Sequence, residues 1–184
     1  DGKGAHRVQL LGCGSILREV IEAADLLKQD WKVDADVWSA PSFNELHRNG
    51  EDVQRWNMLN PGKKPRVPYV TECLQQVDAP VIASTDYVKL FAEQIRPFIS
   101  GTYRVLGTDG FGRSDSRAAL RSHFEVDRYY VTVAALDTLA QGEDAKALSA
   151  ACDAFGEKTQ NLADEAIGAA IKTELNREHS RLPS

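Results

Sequence analysis

No apolar run in the 184 residues is long enough to cross a membrane. The opening Asp1-Gly2-Lys3-Gly4 is a polar lead into a strand and lacks the pattern of a secretory leader. The missing initial Met suggests a processed product or a piece of something longer. Cysteine is sparse: Cys13, Cys73 and Cys152 are widely spaced, odd in number and form no C-x-x-C pair. That usage argues against a disulfide framework or a thiolate zinc site, and reads as buried free thiols in a reducing cytoplasm. The four histidines show no H-x-x-x-H or H-E-x-x-H spacing, so a metal site has no support. A G-x-S-x-G elbow, the commonest serine-hydrolase signal, is absent too. A basic excess is also lacking: the net charge of -5 argues against a general nucleic-acid binder. The local cluster Lys63-Lys64-Pro65-Arg66 lies between prolines and reads as a solvated loop.

With 42% hydrophobic and 27% charged residues, the chain has the composition of one globular domain with an appendage. His6 to Leu11 predicts a first strand ending at Gly12-Cys13-Gly14-Ser15, with Ser15 as cap of the next helix. Ile16, Val20, Ala23, Ala24 and Leu27 recur at helical spacing to about Gln29. Asp36–Ala40 predicts a second strand, and Ser42 with Glu45 forms a capping box for a second helix. Strand, helix, strand, helix implies parallel pairing through helical crossovers. Gly50 to Pro68, with three prolines, two glycines and Arg55-Trp56-Asn57, reads as a long shaped connection. Tyr69–Gln76 predicts a helical turn or two. Pro80–Asp86 predicts a third strand, capped into a helix by Thr85 or Asp86 and ended at Pro97. Tyr103–Gly107 predicts a fourth strand, and Ser114, Asp115 or Ser116 caps a short helix through Leu120. From Arg128, a face of Tyr129, Val133, Leu136 and Ala140 favours helix over strand. After Lys146 the alanine-rich chain predicts two further helices broken near Gly156.

The Gly12-Cys13-Gly14 turn resembles the start of a dinucleotide fingerprint, but the third glycine position is Leu17. A tight strand-to-helix turn is the simpler reading. Cys13, next to a helix start, is a candidate for a lowered thiol pKa, against a plain buried thiol. The richest stretch is Leu106–Asp115, LGTDGFGRSD. Gly110 and Gly112 permit positive φ or close backbone approach, and Arg113 is a fork-shaped donor for carboxylate or phosphate. Asp109 and Asp115 flank Arg113, so a self-satisfied turn or a partner contact is favoured over a phosphate cradle.

Two stretches carry a family resemblance: GEDVQRWNMLNPGKKPRVPYV, and STDYVKLFAEQIRPF followed by YRVLGTDGFGRSDSRAALRSHFEVD. With LGCGSILREVIEAADLL and DVWSAPSFNEL they resemble, from about His6 to Leu139, the C-terminal region of the homodimeric pyruvate dehydrogenase decarboxylase component. The resemblance implies a transketolase-like third domain: α/β, doubly wound, a mostly parallel sheet of four or five strands over residues 1–144, then a helical tail over 145–184. It implies an oxidoreductase linking glycolysis to the citric acid cycle, cytoplasmic and homodimeric. The full enzyme would decarboxylate pyruvate with thiamine diphosphate and magnesium. Its partners would be the N-terminal and middle domains, a second subunit and the dihydrolipoyl acetyltransferase component, with neither nucleic acid nor membrane.

The family's Gly-Asp-Gly to Asn-Asn metal-diphosphate motif is absent; Gly107-Thr108-Asp109-Gly110 is the nearest approach. No catalytic, cofactor-binding or metal-ligating residue is therefore assigned, no cofactor is expected on this chain alone, and the isolated chain is expected to be inactive. Arg55, Trp56, Asn57, Asp109, Gly110, Phe111, Gly112, Arg113 and Asp115 are candidate interface or anion contacts. The alternative function is a free-standing small-ligand or anion-binding α/β module.

Overall fold

The computed structural model describes residues 6–141. Four strands form one all-parallel sheet: β1 (Arg7–Gly12), β2 (Asp34–Ser39), β3 (Val81–Ser84) and β4 (Tyr103–Leu106), in the order β2-β1-β3-β4. The helices are α1 (Leu17–Trp31), α2 (Phe43–Leu59), α3 (Tyr69–Leu74), α4 (Lys89–Glu93), α5 (Arg117–His123) and α6 (Arg128–Ala140). Short 3-10 turns at Gly14–Ile16 and Arg96–Phe98 join them. This is the doubly wound α/β fold expected from the alternation of elements, with four strands. Among the described residues no helix is long and apolar enough to cross a membrane. The predicted helices after Lys146, the break near Gly156 and Cys152 lie outside the described residues.

Alternation along the strands divides the core into two layers. Val8 and Leu10 of β1 and Ile82 of β3 face Val20, Ala23 and Leu27 of α1 and Val131, Ala135 and Leu136 of α6. Leu11, Val81, Ala83 and Val105 face the other way, onto Phe43, Val70, Leu74, Ala92, Ile95 and Phe98. Each large aliphatic removed from water in this way contributes roughly 1.5–3 kcal/mol. β1 and β3 are sealed on both faces, as central parallel strands require. Gln9 is the polar exception in β1, and its amide is fully used. Nε2 donates to the carbonyls of Leu74 (2.9 Å) and Val77 (3.1 Å), while Oε1 accepts from Trp38 Nε1 (3.2 Å).

Several local expectations change. Ser15 does not cap α1: the chain enters through the 3-10 turn, with Gly14 at φ +56° and no side-chain cap. Gly50 to Leu59 is not a connection but the second half of α2. Gly50 sits inside that helix because Phe98 occupies the side-chain space; a Cβ there would lie 2.3 Å from its ring. Ser42 does cap α2, accepting from the Glu45 N–H at 3.2 Å. Neither Thr85 nor Asp86 caps α4; the carboxylate of Asp109 does, accepting from the Lys89 N–H at 2.9 Å. Asp127 caps α6 through the Tyr129 and Tyr130 N–H groups, which starts a helix where β-branched residues also suit a strand. The buried face of α6 carries Val131, Ala134, Ala135 and Leu136 rather than Tyr129 and Val133. Cys13 is buried as expected, but Cys73 is only half-buried.

Candidate functional site at the carboxyl edge of the sheet

The register places Ser39, Gly12, Ser84 and Leu106 side by side at the carboxyl ends of the strands. Winding reverses between β1 and β3, since β2 lies on one side of β1 and β3 on the other. Doubly wound sheets open a crevice outside the carboxyl ends at such a reversal. Two hollows lie along this edge. The larger, about 540 Å³, is lined by residues that include Ser15, Asp86, Thr108, Arg113, Arg117 and Arg121. The smaller, about 180 Å³, includes Cys13, Phe43, Tyr87 and Phe91.

The LGTDGFGRSD loop forms one wall and is tied to the β3–α4 connection. Gly107 is required there: a Cβ would lie 2.8 Å from the Tyr87 carbonyl and 2.9 Å from the Lys89 amide nitrogen. The Thr108 N–H donates to the Tyr87 carbonyl (2.9 Å) and its hydroxyl to the Asp86 carbonyl (2.6 Å). Gly110 follows at φ +101°, and Phe111 stands at the tip, 97% exposed. The expected self-satisfied turn does not form. Asp109 is taken by α4, and Asp115 accepts from the Ser116 N–H at 2.6 Å. Arg113 reaches neither; its Nη1 lies 3.1 Å from Nδ1 of His123.

Beneath the cleft lies an ion network that the sequence reading missed. Glu19, buried in α1, accepts from Arg121 Nη1 (2.7 Å), from Arg128 Nε (2.9 Å) and from the Arg128 N–H (3.2 Å). Burial alone would raise the Glu19 pKa, but the hydrogen bonds and charges of Arg128, with the charge of Arg121, outweigh it and hold the carboxyl below its usual range. These partners lie more than a hundred positions downstream, so no local spacing signals them. Arg117 and Arg121, one turn apart on α5, are likewise residues that the sequence reading missed. Arg121 Nη2 also donates to the Ser15 carbonyl (3.5 Å) and hydroxyl (3.4 Å), a contact between α5 and the turn after β1 that depends on strand order.

Burial, aided by the charge of Asp86 and opposed by a hydrogen bond with Thr85, pushes the Cys13 thiol pKa up. The shift is thus opposite to the lowered pKa considered for Cys13, and the plain buried thiol is the reading the surroundings favour. Among the described residues no group of three or more His, Cys, Asp and Glu side chains is arranged to hold a metal ion.

The Arg55-Trp56-Asn57 triplet is not brought to this cleft. It lies in the last turns of α2, which starts beside the carboxyl edge and runs 17 residues, about 25 Å, from it. Trp56 packs under the guanidinium of Arg66, 3.9 Å from the ring centroid. Asn57 exchanges two hydrogen bonds with the Arg66 backbone, at 2.9 and 2.8 Å. Both side chains thus pin the proline-rich connection of their own chain, while Arg55 is exposed.

The transketolase-like TK C-terminal domain family model matches residues 1–127. The chain belongs to that family. It is 63% identical over 143 residues to the pyruvate dehydrogenase E1 component of Pseudomonas aeruginosa, covering 77% of this chain and 16% of that protein. It is 61% identical over 136 residues to the E1 component of Escherichia coli K12, covering 73% and 15%. The protein of the same description from Buchnera aphidicola subsp. Baizongia pistaciae is 43% identical over 182 residues, covering 98% and 19%. The chain spans less than a fifth of the length of these curated relatives. Among solved structures, a split-gene transketolase described as an inactive beta4 tetramer matches with a TM-score of 0.51 at 12% identity, covering 74% of this chain and 40% of that one. That likeness shows the fold alone.

Proposed function

We propose that this chain serves as the C-terminal domain of a thiamine-diphosphate-dependent pyruvate dehydrogenase E1 component, supporting its architecture and interfaces. The observation that carries this reading is the 61–63% identity to proteins of that description over the α/β domain. In such an enzyme, thiamine diphosphate supplies the electron sink for decarboxylation. The described residues do not fit that group or its magnesium. Asp109, in the nearest approach to the family motif, is committed to the Lys89 N–H. Residues 1–144 form the α/β domain in this reading and 145–184 a helical tail.

The partners are the N-terminal and middle domains of the enzyme, a second subunit and the dihydrolipoyl acetyltransferase component, in the cytoplasm. Phe111, with Asp109, Gly110, Gly112, Arg113 and Asp115 of the same loop, and Arg55 on α2 are the contact points toward them. Trp56 and Asn57 act indirectly by holding the connection after α2. Aromatic and arginine side chains are the usual anchors of such surfaces.

The test is turnover of the pure chain with pyruvate, thiamine diphosphate and magnesium. No carbon dioxide release above the protein-free reaction is expected. Measurable decarboxylation that scales with chain concentration would overturn the placement of the chemistry elsewhere.

A further inference from the structure

The larger hollow at the carboxyl edge carries more positive charge than its surroundings neutralise. Three guanidiniums line it: Arg113 from the loop after β4, and Arg117 and Arg121 one turn apart on α5. Only Arg121 has a carboxylate partner in the described structure, Glu19 beneath the floor. Neither Arg113 nor Arg117 forms an ion pair among the described residues. Asp86 is the opposing charge within the hollow, and it accepts from the Ser15 hydroxyl at 3.2 Å. Adjacent cations held together in a chain of net charge -5 attract an anion rather than one another. Gly110 and Gly112 leave the loop wall open, with nothing within 4 Å of a Cβ at either position. The hydroxyls of Ser15 and Thr108 also line it, but each donates to Asp86, so the donors toward an anion are the guanidiniums.

From this we infer that the cleft between the Ser15 turn and α5 binds a small phosphate-bearing molecule. The chemistry selects phosphate. A lone carboxylate offers one planar edge, which satisfies a single guanidinium fork. A tetrahedral phosphate presents oxygens in several directions and accepts from several forks at once. A volume of about 540 Å³ accommodates a diphosphate or a phosphorylated metabolite and lies within the range of small-molecule sites. The site uses only this chain's residues; Gly110, Gly112 and Arg113 are shared with the contact surface proposed above, and the chain alone leaves them open to a ligand.

Calorimetric titration of the full 184-residue chain with inorganic diphosphate, at low and constant ionic strength, tests this. Saturable one-to-one binding is expected. Arg113→Ala and Arg117→Ala, both at exposed positions, should each weaken it about tenfold. Asp86→Asn should tighten it, and a Lys63→Ala/Lys64→Ala variant should leave it unchanged. Absence of saturation overturns the inference, as does binding that survives both arginine substitutions. Equal loss in the Lys63/Lys64 variant would show unspecific charge attraction and overturn it as well. Malonate, a carboxylate dianion, binding as tightly as diphosphate would contradict the selection of phosphate.

Discussion

Glu19 brings a negative charge into a nearly water-free position, and its worth depends on the two arginines that meet it. Removing one member of a buried ion pair leaves the others uncompensated, at about 3–5 kcal/mol when all are sealed. Arg128 is about a third exposed, so water relieves part of that loss. Glu19→Gln is expected to lower unfolding stability by about 1–3 kcal/mol in urea titrations at neutral pH. The pH dependence has a definite sign. The Glu19 pKa is depressed on folding, so its contribution is fully present above the ordinary value of 4.5 and is lost as pH falls through the depressed one. Melting temperatures taken from pH 7 down to 3 should therefore decline more steeply for the native chain than for Glu19→Gln. Parallel curves would remove Glu19 from the account.

At the scale of elements, α2 and α4 depend on contacts made far along the chain. Gly50→Ala gains about 0.5–1 kcal/mol of helix propensity. It also drives a methyl group to 2.3 Å from the buried Phe98 ring, an overpacking cost of about 1–3 kcal/mol. The clash should win, and the urea midpoint should fall. Asp109→Ala should cost about 1 kcal/mol by uncapping α4, while Asp109→Asn, which keeps an acceptor oxygen, should recover most of it. The same two helices show where the sequence was legible. Ser42 before Phe43 is a cap acting within three residues, and spacing revealed it. Gly50 suggested a break, because the ring that accommodates it lies 48 positions away. Asp109 appeared to be a neighbour of Arg113, yet its partner Lys89 is the first residue of α4, 20 positions upstream. In the candidate site, the loop 106–115 was readable as a unit. Its opposite wall was not, since Ser15 and Asp86 meet it only through the order β1-β3-β4.

For the whole molecule, the apolar side chains left in water are informative. Tyr87, Leu90, Phe91 and Phe111 all stand on the loops and first turn beyond the carboxyl ends of β3 and β4, and Leu90 is 70% exposed. Exposed apolar groups gathered on one edge favour association. The chain is therefore expected to self-associate in sedimentation velocity runs, and Leu90→Ser/Phe111→Ser to shift it toward monomer. A strictly monomeric native chain would count against an interface role for this edge.

The central claim is that this domain supplies architecture to an enzyme whose chemistry resides elsewhere. Replacing the corresponding segment of the Pseudomonas aeruginosa E1 component with residues 6–141, and measuring pyruvate decarboxylation by the hybrid, tests that claim most directly. A folded hybrid with activity close to that of the unaltered enzyme is the predicted result. A hybrid that folds and binds thiamine diphosphate yet neither dimerises nor turns over pyruvate would contradict it.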